Sequence, residues 1–275
     1  MRPTPFVVAL AVATALALAF LLIPIVAIFV ELSWSQFVDG ITSDVALDAL
    51  RVTAETNLTA MALIVLLGTP TAYLIATRRF RGRALVVTLV ELPLVLPPAV
   101  AGLGLLAAFG RFELLGRAFG ALGVEIAFTK LAVVLAVTYV ASPFYVRTAI
   151  AAFESVDPDL VAASRTLGAG PARTFVRVAL PLAAGGLGAG LALAFARGLG
   201  EFGATIMFAG SFQGITQTLS LAVYQEFDVG FQRSLAIGAL LIFVSALVLL
   251  LAKLIPVWRR SVSTSTTLSA PSVSS

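Results

Sequence analysis

Six apolar runs, each about as long as a bilayer is thick, constrain what this chain can fold into. They lie at about residues 6–30, 56–77, 84–109, 127–150, 182–199 and 235–255. A helix rises about 1.5 Å per residue, so about 20 residues cross a ~30 Å hydrocarbon core. Lipid offers no partners to backbone N–H and C=O groups, so each span must close its hydrogen bonds on itself. The expectation is an all-α, polytopic membrane protein with six transmembrane helices. The first run is too long for the apolar core of a signal peptide, roughly 7–15 residues, and no clean small-x-small cleavage site closes it before Glu31. It reads as a retained span.

Lysine and arginine placement orients the spans. With the N-terminus inside, the inner segments hold Arg2, Arg78, Arg79, Arg81, Arg83, Arg147, Arg165, Arg173, Arg177, Lys253, Arg259 and Arg260, twelve of the eighteen basic residues. The outer loops hold five: Arg51, Arg111, Arg117, Lys130 and Arg233. The reverse orientation would put the twelve outside, so both termini are expected in the cytoplasm of a multi-pass cell-membrane protein. The acids lean the other way: ten of fourteen are outer, among them Glu31, Asp39, Asp44, Asp48 and Glu55. The expected division is an N-terminal helix with the first outer loop (1–48), a membrane domain (49–255) and a disordered cytoplasmic tail (256–275), mostly Ser and Thr from 261 onward.

Composition removes several chemistries. There is no His and no Cys, hence no imidazole or thiolate metal site, no Cys nucleophile and no disulfide. The two lysines, Lys130 and Lys253, do not follow a Gly, so there is no P-loop. Any ATP and Mg must be bound by another chain. Paired intramembrane carboxylates at metal-site spacing are missing, which argues against an intramembrane enzyme. The two halves of the chain show no repeat of the kind many secondary transporters carry.

One polar interval carries unusual punctuation: Val156-Asp-Pro-Asp-Leu-Val-Ala-Ala-Ser-Arg-Thr-Leu-Gly-Ala-Gly-Pro through to Leu180-Pro181. Asp157 suits an N-cap, Pro158 the first helical position, and Asp159 the positive end of the helix dipole. Leu160, Ala163, Ser164 and Leu167 share one face. Gly168 suits a left-handed helix end. A second short helix is expected from Gly170-Pro171 to Leu180, with Pro181 marking re-entry into the membrane. Small residues (Ala162, Ala163, Ser164) let another surface approach, and Arg165 can pair with its carboxylates. The same pattern also suits an amphipathic helix pair lying on anionic lipid.

Three further features have two readings each. Arg197 and Glu201 share a helix face at the outer end of span five. They are either a pathway site that attracts a dianion or a structural ion pair. Glu91, Pro93, Pro97 and Pro98 break or kink span three, to line or gate a pathway or only to pack. Gly186-x-x-x-Gly190 sits at a subunit seam or at a contact within the chain.

The polar interval resembles the cytoplasmic EAA loop of permease subunits of ABC importers: Glu-Ala-Ala, three residues, Gly, nine residues, Ile-x-Leu-Pro. Gly168 and Val178-Ala179-Leu180-Pro181 meet that spacing, and Ala162-Ala163-Ser164 stands at the triplet, so Ala162 replaces the family's glutamate. Arg165-Thr166-Leu167-Gly168-Ala169 also matches. Residues 196–224, with Glu201-Phe-Gly-Ala-Thr205, Ala209-Gly210 and Thr216-Gln-Thr-Leu219, are similar to permeases of molybdate importers, as is Leu92–Gly102. Sulfate and tungstate permeases resemble this segment less. The resemblance spans roughly 45–255. It implies a type I ABC importer transmembrane domain with cytoplasmic coupling helices and no catalysis of its own. It further implies a homodimer, two cytoplasmic ABC ATPase subunits docked on the loops, and an extracytoplasmic oxyanion-binding protein. Nucleic acid has no place in it. Import of tungstate or sulfate is the alternative substrate; an ATP-independent channel or secondary transporter is the alternative of another class.

Overall fold

Every apolar run becomes helix, but the runs differ in how they are held. The computed structural model describes residues 4–264, with side chains as far as 250. The helices in chain order are α1 (Pro5–Val30), α2 (Trp34–Ile41), α3 (Asp44–Thr77), α4 (Arg83–Val95), α5 (Pro98–Phe109), α6 (Gly116–Ala121), α7 (Lys130–Glu154), α8 (Pro158–Thr166), α9 (Pro171–Thr174), α10 (Leu180–Leu199), α11 (Gly203–Ala209), α12 (Leu219–Val229) and α13 (Phe231–Thr264). A π-helical turn, Phe175–Ala179, joins α9 to α10. Among the described residues, five helical stretches are long and apolar enough to span, and α4 with α5, bent by 112°, makes a sixth if the pair is one span.

The core is the contact of α7 with α3 on one side and α10 on the other. Small residues make it possible. Gly68 of α3 sits against the ring of Tyr145, whose hydroxyl pairs with Thr69 Oγ1 at 2.6 Å. On α10, a Cβ at Gly186 would lie 2.5 Å from Ala152 Cβ, and one at Gly190 would lie 3.0 Å from Thr148 Cβ. The glycine pair of span five therefore packs within the chain, while Gly185 and Gly188 face open space. In a bilayer such close backbone approach, with its van der Waals contact, is a main source of helix cohesion.

Two expectations are sharpened and two are corrected. The helix that carries span two extends back from the apolar run at 56 to Asp44, because Ser43 caps it by accepting from Ala46 N. Of break and kink, span three takes the break: Leu96 is extended, as proline favours in the residue before it, and Pro97 and Pro98 both lack the N–H that would continue α4. Pro181 does not separate a short helix from span five. Pro171–Leu199 runs as one stretch, because the π turn, in which Leu180 N bonds Phe175 O, accommodates the missing proline donor. The tail expected from 256 begins as helix, since α13 continues to Thr264; residues 265–275 lie outside the described ones.

Candidate functional site

At the end of the bundle where α7 leads into it, α8 forms as its local signals require. Asp157 Oδ1 accepts from Asp159 N at 2.9 Å. At the other end Gly168 takes φ +83°, Gly168 N bonds Arg165 O, and Ala169 N bonds Ser164 O, each at 3.0 Å. These two bonds are the Schellman pattern that satisfies the last carbonyls of a helix. Thr166 Oγ1 donates back to Ala162 O and Ala163 O. Ser164 does not share the exposed face: its hydroxyl donates to Val161 O and lies 3.0 Å from Thr174 Oγ1, tying α8 to α9. What α8 presents outward is Ala162, Ala163, Arg165, Leu160 (48% exposed) and Leu167 (88% exposed). Leu180 is half-buried at the start of α10, next to Pro181. Between α8 and the bundle lies an open cleft of about 440 Å³, lined by Tyr73, Phe153, Val161, Ala162 and Arg165 among others. Ala162, where the matched motif carries glutamate, leaves that cleft open. Among the described residues Arg165, Arg173 and Arg177 form no ion pair.

At the opposite end of the bundle, residues 196–224 form one folded unit. Arg197, in the last turn of α10, reaches Glu201: Nη2 to Oε2 is 2.7 Å. The two side chains differ in burial, 26% exposed for Arg197 and 1% for Glu201. Glu201 Oε1 accepts from Ala204 N at 2.7 Å, and Ser220 Oγ donates to the Glu201 carbonyl at 2.6 Å, so the acid is fixed by the backbone around it. Its Oε2 has no donor aligned on it, and neither polar atom of the buried Asn57 side chain has a partner in the chain. Asn57 lies against Gly198, where a Cβ would come 2.5 Å from Asn57 Oδ1. Thr53 accepts from Leu219 N at 2.8 Å, and Asp48 from Gln213 Nε2 at 3.0 Å, which pins the loop before α12 onto α3.

The apolar sequence after Glu201 is a separate helix, α11, packed along α5. Gly203 meets Pro98, and a Cβ at Gly102 would lie 2.6 Å from the Ala204 carbonyl oxygen. Pro98 and the Glu201 turn are thus brought together. Glu91 is not part of that group. It lies on α4, on the other side of the break, with Oε1 3.1 Å from Arg147 Nε on α7. Sequence reasoning counted Arg147 only toward topology and missed this pair. It also missed the pairing of Arg83 Nη2 with Glu154 Oε1 at 2.6 Å. Opposite charges about two turns apart on both helices were the available signal.

Residues 64–260 match the family model described as binding-protein-dependent transport system inner membrane component. The chain belongs to this family. It is 43% identical over 233 residues to the molybdenum transport system permease protein ModB of Mycobacterium tuberculosis, covering 85% of this chain and 88% of that protein. It is 34% identical over 235 residues to the sulfate transport system permease protein CysT of Salmonella typhimurium, covering 83% and 84%. Among solved structures, a bacterial alginate ABC transporter in complex with an alginate pentasaccharide-bound periplasmic protein superimposes with a TM-score of 0.68 at 19% identity, covering 90% of this chain and 92% of that one. The chain is a multi-pass membrane component with the fold of an ABC importer transmembrane domain.

Proposed function

We propose that this chain is the membrane-spanning permease subunit of an ATP-driven importer for molybdate. The observation that carries the substrate is the 43% identity with a molybdenum permease along most of both chains. The chain catalyses nothing itself. A separate ATPase binds ATP and Mg and docks on α8, whose exposed Leu160 and Leu167 and small Ala162 and Ala163 suit a close protein contact better than a charged lipid surface. Arg165 offers that partner a carboxylate-pairing group. Two copies of the chain enclose the pathway. Residues 49–255 are the membrane domain and 1–48 an added helix and outer loop. The basic inner segments favour cytoplasmic termini.

Arg197 is the pathway contact for the dianion, and Glu201 limits how tightly the dianion is held. The guanidinium has spare donors and partial exposure, while the acid is buried and immobile. Broken span three, at Pro97 and Pro98, sits against this pair through Gly203 and forms the gate. The acidic outer face repels a free dianion, which favours delivery by a docked binding protein over direct capture. Asp39 and Glu226 line an open outer cavity of about 360 Å³ on that face.

The 34% identity with a sulfate permease supports sulfate as the second reading. Labelled molybdate uptake in cells lacking their own importer, with the ATPase and binding protein co-expressed, tests the first. Uptake blocked by tungstate but not by excess sulfate supports molybdate; ready block by sulfate moves the chain to the sulfate class.

A further inference from the structure

The break in span three divides it into halves with different attachments. The outer half, α5, is packed on α11 through Gly102. The inner half, α4, is joined to α7 by the two ion pairs, Arg83–Glu154 at 2.6 Å and Glu91–Arg147 at 3.1 Å. The pairs lie about two turns apart on each helix.

Their order is informative. Read from the inner end, α4 carries Arg83 and then Glu91, while α7 carries Glu154 and then Arg147. The antiparallel helices therefore meet opposite charges at both levels. Sliding α4 outward by two turns would set Arg83 beside Arg147. Sliding it inward would set Glu91 beside Glu154. Either slip replaces attraction with like-charge repulsion. The ladder fixes register in both directions.

It also ends at the coupling loop. Arg83 Nε donates to Ile75 O at 2.9 Å, which adds the end of α3 to the joint. Beyond Glu154 only Ser155 and Val156 separate α7 from the Asp157 cap of α8. A push on α8 reaches the end of α7 directly.

Resting on the importer reading above, we infer that Glu91 and Arg147, with Arg83 and Glu154 beneath them, are positioning residues that tie α4 to the coupling loop. α4 and α7 then move as one body through the transport cycle. The bend at Leu96–Pro97 takes up the motion relative to α5 and α11.

The test uses the full complex of permease, ATPase and binding protein in proteoliposomes, reading molybdate taken up per ATP hydrolysed. E91Q and R147Q should each lower that ratio by about threefold or more, the scale of one polar contact between membrane helices. ATP hydrolysis should stay near the parent rate, and the swap E91R/R147E should restore the ratio. The chain has no cysteine of its own, so E91C/R147C gives a clean cross-linking pair. Joined by a short bis-thiosulfonate reagent, it should retain uptake, because the two positions never separate. Loss of uptake on cross-linking overturns the inference. So does an unchanged ratio in the single variants, or a parallel fall of uptake and hydrolysis, which loss of folded complex also produces. Failure of the importer reading is distinct: the parent chain itself would take up no molybdate.

Discussion

α1 and α7 are both spans, and they are opposites. α1 is the more apolar, with hydropathy 2.9, and no residue in it is buried. α7 has hydropathy 1.5, carries Tyr139, Ser142, Pro143, Tyr145 and Arg147, and has 56% of its spanning window buried. In water this order would be reversed. In lipid, burying an apolar side chain between helices gains little, because the acyl chains are as apolar as leucine. Close backbone approach and internal hydrogen bonds hold the bundle, so small and polar residues mark its centre. High hydropathy marks the face given to lipid.

The contrast predicts where substitutions hurt. The largest effect should come from Gly186→Leu, which drives a branched side chain into Ala152 of α7 where even a Cβ is too close. We expect a loss of about 3 kcal/mol or more, read as a collapsed melting temperature of the purified complex. Next is Tyr145→Phe, which removes the 2.6 Å hydrogen bond to Thr69 inside the α3–α7 contact. A cost of about 0.6–1.7 kcal/mol is expected, the range of polar contacts between membrane helices. The smallest is Leu16→Ala on α1, a side chain 67% exposed in the bundle. Bundle stability should change by less than about 0.5 kcal/mol, the usual limit for a surface position. If Leu16→Ala costs as much as Tyr145→Phe, the contrast between the two helices is wrong.

Local signals were legible in the sequence, and long-range partners were not. The caps of α8 depend on Asp157, Pro158 and Gly168 and their near neighbours, so the sequence pattern anticipated them. The six apolar runs were visible because span length is set by the bilayer. The prolines marked the break in span three, but its 112° angle was not readable, since α5 packs on α11, a partner distant in sequence. That the apolar residues from Gly203 to Ala209 fold as a separate helix was not readable, since it depends on their packing on α5. Pro181 misled because nothing local announces a π turn. Glu91 was noticed as a charge in an apolar run, but its partner sits on another helix. The burial of Asn57 against Gly198 was not readable, since it follows only from the packing of α3 on α10.

The central claim is that this chain conducts only when an ATPase drives it. Molybdate uptake into proteoliposomes tests that directly, with the complex compared against the permease alone, with and without ATP and binding protein. The account predicts uptake that needs both ATP and the binding protein and falls to the leak rate when either is withheld. Uptake down a gradient through the permease alone would contradict it and establish a channel or secondary transporter in its place.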